Sequence, residues 1–384
     1  MPSSISSSEV LLLPDAVGDL HSRETASDRP GVAQPVPVRP VPVQPWARII
    51  SGALILFVLL LGSWEWYWRA YGATPGIQNT DGLWAIQRRR IDAGEGDATV
   101  FTGSSRVLFD MQLDVWEKLD GKRPIQLAFE GTSPLPIVED LAADANFKGR
   151  LLIGITPDSF FAAFGRHRMA PRYAHKESPA QRIGQWLSMY LIEPFFAFDD
   201  PDFALATVVR RQDWPERPGK KWTTAVRKLL VLETDRNTHI WSKVETDSTY
   251  RELARKIWAE GFEPSAEDPP EAEVKATAKK QIERMTKAVA TMHARGVKVL
   301  FIRCPSSGEY LAYENRKYPR TEFWDALLAA TGAPGLYFED YPELQGLELP
   351  EWSHLTYADA RKFTASVQAI IARDFWPRET VDVN

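Results

Sequence analysis

The chain has little of what several functional classes require. It contains one cysteine, Cys304, among 384 residues, which excludes an internal disulfide. Lys and Arg number 46 against 51 Asp and Glu, and this net charge of −5 argues against nucleic-acid binding, which needs a basic face. The 6 histidines show no metal-ligand spacing, and no Cys-x-x-Cys motif occurs. We therefore expect no metal, no cofactor and no nucleic-acid partner.

One long apolar run stands near the N-terminus. Ile49 to Trp64 is apolar apart from two serines and the glycines, and Trp66–Trp68 extends it. With Arg48 and Arg69 at its ends, where their side chains can reach the headgroups, this stretch is long enough to span a bilayer. It starts late and lacks a small-x-small cleavage site, so the sequence predicts an uncleaved signal anchor.

Composition divides the chain into five segments. They are a disordered Pro-rich tail (1–46), the transmembrane anchor (47–70), a linker (71–97), an α/β domain (98–376) and a short tail (377–384). Arginines flank both ends of the anchor, so the positive-inside rule does not decide its orientation. Arg48, directly before the apolar run, favours a cytoplasmic tail and an extracytoplasmic domain.

From Thr99 onward, short apolar runs alternate with helical patterns, which is typical of an α/β domain with a parallel sheet covered on both faces. The predicted strands are Thr99–Thr102, Ile125–Phe129, Leu151–Ile155, Lys298–Arg303 and Leu336–Phe338. Apolar residues at helical spacing predict one crossover helix from near Val107 to Leu119.

Between about residues 160 and 295 the strand signals stop, which predicts a large helical insertion. Its predicted helices are Gln181–Phe198, Thr223–Leu232, Tyr250–Glu260 and Glu271–Arg295. We expect the insertion to pack over the ligand-binding edge of the sheet, or in part to form an oligomer contact.

Ser105 lies where the first predicted strand gives way to a helix, in Gly103-Ser104-Ser105-Arg106. Backbone N–H groups and the helix dipole favour a developing negative charge at such a junction, which suits a nucleophilic serine. A serine there also commonly serves only as a helix cap. His354, in a loop before the last predicted helix, can reach the same edge of the sheet and activate Ser105.

Two carboxylates are candidates for orienting the His354 ring. Glu351 lies three residues before the histidine, and Asp340 follows the last predicted strand. The sequence does not separate these two alternatives.

With these residues placed, the chain resembles the SGNH (GDSL-like) hydrolase superfamily over about residues 99–155 and 297–372. The four blocks of that superfamily carry the nucleophile in G-D-S, an oxyanion glycine, an oxyanion asparagine in G-x-N-D, and D-x-x-H. The resemblance implies a three-layer flavodoxin-like parallel sheet, with Ser105 as the nucleophile. It also implies that the N–H groups of Ser105 and Gly131 hold the oxyanion.

The chain departs from that pattern in three places. Ser104 and Glu351 each stand where the blocks have Asp. The third block, Gly154-Ile155-Thr156-Pro157-Asp158, has no asparagine, and losing one oxyanion donor costs about 10²–10³ in rate. The Thr156 hydroxyl is the candidate substitute.

Membrane-anchored relatives of this kind are similar to extracytoplasmic proteins of bacterial polysaccharide O-acetylation. The resemblance implies a serine esterase or O-acyltransferase in the bacterial inner membrane, with a periplasmic domain and a polysaccharide or acyl-ester substrate. It also implies a multi-pass membrane acyltransferase or glycosyltransferase as partner. The alternative is a catalytically inactive SGNH-like scaffold of a polysaccharide biosynthesis or export complex.

Three residues near the predicted site are candidates for substrate binding. Arg106 follows the nucleophile, and Arg303 and Ser306 end the fourth predicted strand. Arg106 could instead pair with a local acid, and an ordinary strand-to-loop turn also explains Arg303 and Ser306.

Overall fold

A computed structural model describes residues 43–163, 169–212, 227–263 and 269–377. The predicted disordered tail up to residue 42 and the C-terminal tail from residue 378 lie outside these ranges. The strands are β1 (Thr99–Thr102), β2 (Ile125–Gln126), β3 (Arg150–Gly154), β4 (Leu230–Leu232), β5 (Thr238–Ile240), β6 (Lys298–Arg303) and β7 (Gly335–Tyr337).

The α-helices include one long N-terminal helix and shorter helices that connect or cover the strands. They are α1 (Trp46–Tyr71), α2 (Asp81–Arg90), α3 (Ser105–Asp110), α4 (Leu113–Asp120), α5 (Leu135–Ala143), α6 (Pro157–Phe161), α7 (Ala170–Lys176), α8 (Pro179–Leu187), α9 (Leu205–Arg210), α10 (Ser242–Thr246), α11 (Ser248–Ala259), α12 (Glu271–His293), α13 (Gly308–Lys317), α14 (Arg320–Thr331) and α15 (Tyr357–Ile370).

Five strands form one parallel sheet in the order β2-β1-β3-β6-β7. Counting only the strands of this sheet, the order is 2-1-3-4-5, as in flavodoxin-type doubly wound folds. Phe101, Leu152 and Phe301 on the three central strands are fully buried. The prediction of an α/β domain with a parallel sheet is therefore confirmed.

The predicted strands agree closely with the observed ones. The bounds of β1 and β6 are those predicted, while β3 and β7 each begin and end one residue earlier. Strand β2 is shorter than predicted and ends at Gln126. Its extension still bonds to β1 and the following turn, since the N–H groups of Leu127 and Phe129 donate to the carbonyls of Phe101 and Gly103 at 2.8 and 3.1 Å.

The prediction of one continuous crossover helix after Ser105 is wrong. The chain is extended at Met111 and Gln112, which separate α3 from α4. The Gln112 N–H donates to Oγ1 of Thr364 at 2.8 Å, and that of Leu113 donates to Oδ1 of Asn237 at the same distance. These long-range contacts to α15 and to the residue before β5 replace the helical hydrogen bonds at the break.

The helical insertion contains a hairpin that the sequence did not indicate. Strands β4 and β5 pair antiparallel, so the predicted helix Thr223–Leu232 is wrong over residues 230–232, while its first four residues lie outside the described ranges. The predicted helices at Tyr250–Glu260 and Glu271–Arg295 are confirmed as α11 and α12. The predicted helix at Gln181–Phe198 corresponds to α8 followed by a π-helical turn, Ser188–Ile192.

Helix α1 is the predicted anchor. Among the described residues it is the one helix that is long and apolar enough to cross a membrane, judged by its 26-residue length and its composition. Its last turns, from Trp64 to Tyr71, carry four aromatic side chains in mutual ring contact. This end of α1 belongs to the compact unit that begins at Leu61.

Candidate active site

Two glycines let a helix begin directly over the carboxyl edge of the sheet. Gly103 follows β1 with a φ of +156°, and a Cβ there would lie 3.0 Å from Cγ2 of Val107. Gly154 ends the neighbouring strand β3, and a Cβ there would lie only 2.0 Å from the same atom. Because both positions lack a side chain, α3 packs closely and begins at Ser105, which is partly exposed.

Either Ser104 or Ser105 could serve as the helix cap, and the structure places Ser104 in the N-cap position before α3, with Ser105 as the first helical residue. Ser104 makes no side-chain cap bond. Its Oγ lies 2.5 Å from Oγ1 of Thr156, and both side chains are buried. The structure therefore brings Thr156 into contact with the residue next to Ser105, and its hydroxyl is already hydrogen-bonded there.

The three residues predicted to hold an oxyanion follow adjacent strands. Ser105 follows β1, Thr156 follows β3, and Gly131 follows the extension of β2. Gly131 is exposed and has a φ of +61°, a conformation that suits glycine. It lies two residues beyond Phe129, whose N–H donates to the Gly103 carbonyl at 3.1 Å. All three candidates thus lie around the turn after β1.

The loop before α15 holds His354 against Glu351. One carboxylate oxygen of Glu351, Oε1, accepts from the backbone N–H of His354 at 2.7 Å and from ring Nδ1 at 2.8 Å. Between them, Trp352 adopts a φ of +73°, which costs a non-glycine residue about 1–3 kcal/mol and occurs preferentially at functional sites. Both Glu351 and His354 are buried. Glu351 therefore has the position of the acid in a triad.

The second oxygen of Glu351 is satisfied by the helical insertion. Nε1 of Trp258, on α11, donates to Oε2 at 2.5 Å. Burial raises the pKa of Glu351, but the charge and hydrogen bonds of His354 and the Trp258 donor outweigh it, so the pKa lies below its ordinary value. Glu351 is therefore a buried carboxylate with both oxygens occupied. Helix α11 of the insertion therefore contacts the loop that bears Glu351 and His354.

The two sequence blocks, about 250 residues apart, converge along α3. Nε of Arg106 lies 3.3 Å from Oγ of Ser353, and the N–H of Leu355 donates to Oδ1 of Asp110 at 3.1 Å. Between these contacts the Phe109 ring stacks on His354, with centroids 4.2 Å apart. Ser105 precedes Phe109 by four residues, and residues at that spacing share a helix face. The structure thus brings the His354 loop to α3, one turn beyond Ser105, but Ser105 makes no hydrogen bond to Nε2 of His354 among the described residues.

The other ring nitrogen of His354, Nε2, is buried and has no hydrogen-bond partner within the described ranges. Since Nδ1 faces a carboxylate, it carries the proton in the neutral ring, and Nε2 then presents a lone pair. Buried polar atoms without a partner are rare in folded proteins. An acceptor held in this state is what a general base needs.

Asp340 is not the acid that orients His354. It forms a bidentate pair with Arg320, at 2.6 and 2.7 Å, and both side chains are substantially exposed. The strand-end position of Asp340 made it a candidate, but its partner comes from α14. The structure brings Glu351 to the imidazole instead.

The three predicted substrate-binding residues lie instead in a buried ionic cluster around Glu314 of α13. Arg106 lies 2.9 Å from Glu314 Oε1, and Arg303 and Ser306 donate to Oε2 at 2.5 and 2.7 Å. All four side chains are buried. Burial raises the pKa of Glu314, but the two arginine charges outweigh it and hold the pKa below its ordinary value. This cluster joins α3, β6 and α13, so the prediction that these residues contact substrate is wrong, and the alternative that Arg106 pairs with a local acid is confirmed.

Replacing Trp258 by phenylalanine is expected to destabilise the protein in a pH-dependent way. Glu351 has a folded-state pKa below its unfolded value of about 4.3, so its stabilising contribution is present above that pH and is lost as the pH falls through the folded pKa. Without the Nε1–H donor the folded pKa rises. We expect a loss of about 1.5–3 kcal/mol near neutral pH that shrinks below pH ~4.

Thermal unfolding of the full chain in detergent across this pH range measures the effect. Trp46→Phe, which changes an exposed ring at the start of α1, is the matched control and should be close to neutral. A Trp258→Phe loss of equal size at every pH would contradict the proposed bond to an ionised Glu351.

A second prediction concerns Asp110, the last residue of α3. Burial raises its pKa well above the ordinary value, although the Leu355 N–H and Arg106 act in the opposite direction. The folded protein therefore keeps a proton that the unfolded chain releases, and this stabilising contribution is lost as the pH rises above about 3.9. The Asp110→Asn variant has no titrating group at this position. Its free energy of unfolding should therefore rise relative to that of the wild type by about 1.4 kcal/mol per pH unit, until the pH reaches the folded-state pKa of Asp110.

Unfolding of both proteins between about pH 4 and pH 8 tests this expectation. A stability difference that does not change with pH would mean that Asp110 ionises equally in the folded and unfolded states.

Among the described residues no group of three or more His, Cys, Asp or Glu side chains is arranged to hold a metal ion. Cys304 is buried and unpaired with another cysteine.

Compared with protein-family models, with curated proteins and with solved structures, the chain matches none of them. Within the described residues the structure therefore defines an α/β protein with a parallel sheet and one candidate membrane helix, and it holds a buried Glu351–His354 pair against the helix that begins at Ser105.

Proposed function

We propose that this chain is a membrane-anchored serine esterase or O-acyltransferase of the SGNH type that acts on a cell-envelope or exported polysaccharide. The observation that carries the proposal is the His354 ring. Its Nδ1 is bonded to the buried Glu351, its Nε2 has no partner among the described residues, and the ring stacks on the α3 residue one turn after Ser105.

In the proposed mechanism, Ser105 Oγ attacks an ester carbonyl while His354 Nε2 takes its proton. Glu351 stabilises the imidazolium that forms. The N–H groups of Ser105 and Gly131 hold the oxyanion, and the Thr156 hydroxyl donates to it while accepting the hydrogen bond of Ser104. As the tetrahedral intermediate collapses, His354 returns the proton to the leaving alcohol, and Ser105 carries the acyl group as an ester. Water or a sugar hydroxyl then attacks this ester, which regenerates Ser105.

Helix α1 supports the location that we propose for this chemistry. A single apolar helix of 26 residues would anchor the domain to the bacterial inner membrane, with the domain in the periplasm. An anchored enzyme there meets exported polysaccharide, and a multi-pass membrane acyltransferase or glycosyltransferase is the partner that would deliver acyl groups or the nascent glycan.

The proposal is tested with purified full-length protein and p-nitrophenyl acetate. We expect Ser105-dependent release of nitrophenolate, lost in Ser105→Ala and largely kept in the neighbouring variant Ser104→Ala. Adding an acetyl-accepting polysaccharide separates the two reactions, because a transferase moves the acetyl group to the glycan and an esterase releases acetate. Equal rates for the wild type and Ser105→Ala would overturn the enzymatic proposal.

Two observations favour a second candidate, a non-catalytic scaffold of a polysaccharide complex. The third block has no asparagine, and the Thr156 hydroxyl is bonded to Ser104. The His354 Nε2 atom is also fully covered. A scaffold would keep the fold and the buried Glu351–His354 pair for stability, and it would show no Ser105-dependent turnover in the experiment above.

A further inference from the structure

The helical insertion carries a group of exposed apolar side chains close together in the sequence, which we call the insertion face. It consists of Ile183 and Trp186 on α8, Tyr190 and Leu191 on the following π-helical turn, and Phe195. Each of these side chains is more than half exposed, from 51% for Tyr190 to 59% for Ile183. The Trp186 and Tyr190 rings lie 5.4 Å apart. Soluble monomers rarely expose a contiguous patch of large apolar side chains, so this face requires a partner.

The segment that bears this face is fixed to the last turns of α1. Nη2 of Arg69 donates to the Phe195 carbonyl at 2.9 Å. The two carboxylate oxygens of Glu65 accept from the N–H groups of Ala197 and Phe198, each at 3.0 Å. Both partners lie within the compact unit that begins at Leu61. These bonds hold the end of the insertion face beside the aromatic end of α1.

A second set of contacts continues this attachment. Nε1 of Trp64 donates to the Phe203 carbonyl at 3.2 Å, and the Trp68 ring stacks on Phe203 with centroids 4.6 Å apart. Trp66 and Tyr67, on the same turns of α1, stay 72% and 53% exposed. Tryptophan and tyrosine at the end of a membrane helix are typical of the membrane–water interface. The insertion segment is therefore attached to the end of α1 that carries these aromatic residues.

We propose that the insertion face docks into the interfacial layer of the bilayer that α1 crosses. Trp66 and Tyr67 are exposed on the turns of α1 to which the insertion segment is bonded through Arg69 and Phe195. Tryptophan and tyrosine suit that layer because one end of each ring system is apolar and the other carries a hydrogen-bonding group. The inference rests on the membrane anchoring proposed above.

A protein partner is the competing occupant, and the insertion face alone does not distinguish it from lipid. The bonds from Glu65 and Arg69 to the insertion segment favour lipid. A contact between copies of the chain would not require the insertion face to be bonded to the juxtamembrane turns of α1. A face built for lipid requires that position. Burial of the apolar rings in the headgroup region then supplies the binding free energy.

Site-directed spin labelling of the full chain in phosphatidylethanolamine–phosphatidylglycerol nanodiscs tests the proposal. Cys304 is buried, so a nitroxide reports on the one cysteine that is introduced. Leu191→Cys places the label on the insertion face, and Leu119→Cys, at the 42% exposed Leu119 of α4, is the matched control. Leu56→Cys on α1 reports on the anchor itself. Each label is measured for collision with oxygen, which enters lipid, and with a water-soluble nickel chelate.

We expect the label at position 191 to collide with oxygen and to lose collision with nickel, while the label at position 119 collides freely with nickel. Equal nickel collision at the two positions would overturn the proposal. Protection at position 191 from both reagents, with spin broadening between copies, would also overturn it in favour of a protein contact. If the label at position 56 collides freely with the nickel chelate, α1 does not lie in the bilayer and the proposed membrane anchoring is refuted. Position 56 in lipid with position 191 in water would refute the docking alone.

Discussion

Replacing His354 by alanine is expected to lower kcat/KM for p-nitrophenyl acetate by about 10⁴-fold or more. Without the imidazole, no group takes the Ser105 proton during attack or returns it to the leaving alcohol. Glu351→Gln should lower the rate by about 10⁴-fold as well, because an amide at that position no longer stabilises the imidazolium or fixes its tautomer. Nitrophenolate release by purified variants measures both effects.

Asp340→Asn is the control for this pair. It removes a carboxylate that the sequence alone put forward as the orienting acid, but that the structure pairs with Arg320 on the surface. Its rate should equal that of the wild type. A rate in Asp340→Asn as low as in Glu351→Gln would contradict the assignment of Glu351.

Replacing Glu314 by alanine is expected to be the most destabilising single change in the α/β domain. Glu314 is the shared anion for Arg106 and Arg303, and all three side chains are no more than 2% exposed. Removing one partner of a buried ion pair leaves an uncompensated charge and costs about 3–5 kcal/mol. Here two arginines lose their partner together. In a domain of this size the melting temperature should fall by about 6 °C or more.

Thermal unfolding of the full chain measures this effect, and Asp340→Asn again provides the comparison. The Asp340–Arg320 pair is about 40% exposed, so its loss should cost about 0–1 kcal/mol. If Glu314→Ala unfolds at the temperature of Asp340→Asn, the cluster contributes nothing to stability. Because Arg106 follows Ser105, a folded Glu314→Ala protein should also show a displaced α3 and reduced turnover.

The central strands could be predicted because their signal is local. A parallel sheet buried on both faces requires short continuous apolar runs, and Lys298–Arg303 and Thr99–Thr102 carry that pattern at their observed bounds. The hairpin of β4 and β5 was missed because each strand has only three residues, too few to show a period. The break between α3 and α4 was missed because bonds from Thr364 and Asn237, both more than 120 residues away, impose it.

In the candidate site, too, the features set by neighbouring residues could be predicted and those set by distant contacts could not. The pairing of Glu351 with His354 is visible in the sequence as a spacing of three residues, although the sequence left Asp340 as an alternative. The position of Ser105 at a strand-to-helix turn followed from Gly103. No sequence pattern indicated the roles of Glu314 and Trp258. Glu314 contacts Arg106 across 208 residues of the chain, and Trp258 contacts Glu351 across 93 residues. Residues that satisfy a buried charge from afar are defined only by the three-dimensional contact.

The central claim is that Ser105 is a nucleophile activated by His354, and covalent labelling with a fluorophosphonate tests it most directly. Peptide mass spectrometry of the labelled full chain should find the phosphonyl adduct on Ser105. The adduct should be absent in Ser105→Ala, form far more slowly in His354→Ala, and persist in Ser104→Ala. A wild-type protein that acquires no adduct at Ser105, or one that His354→Ala labels at an unchanged rate, would contradict the account.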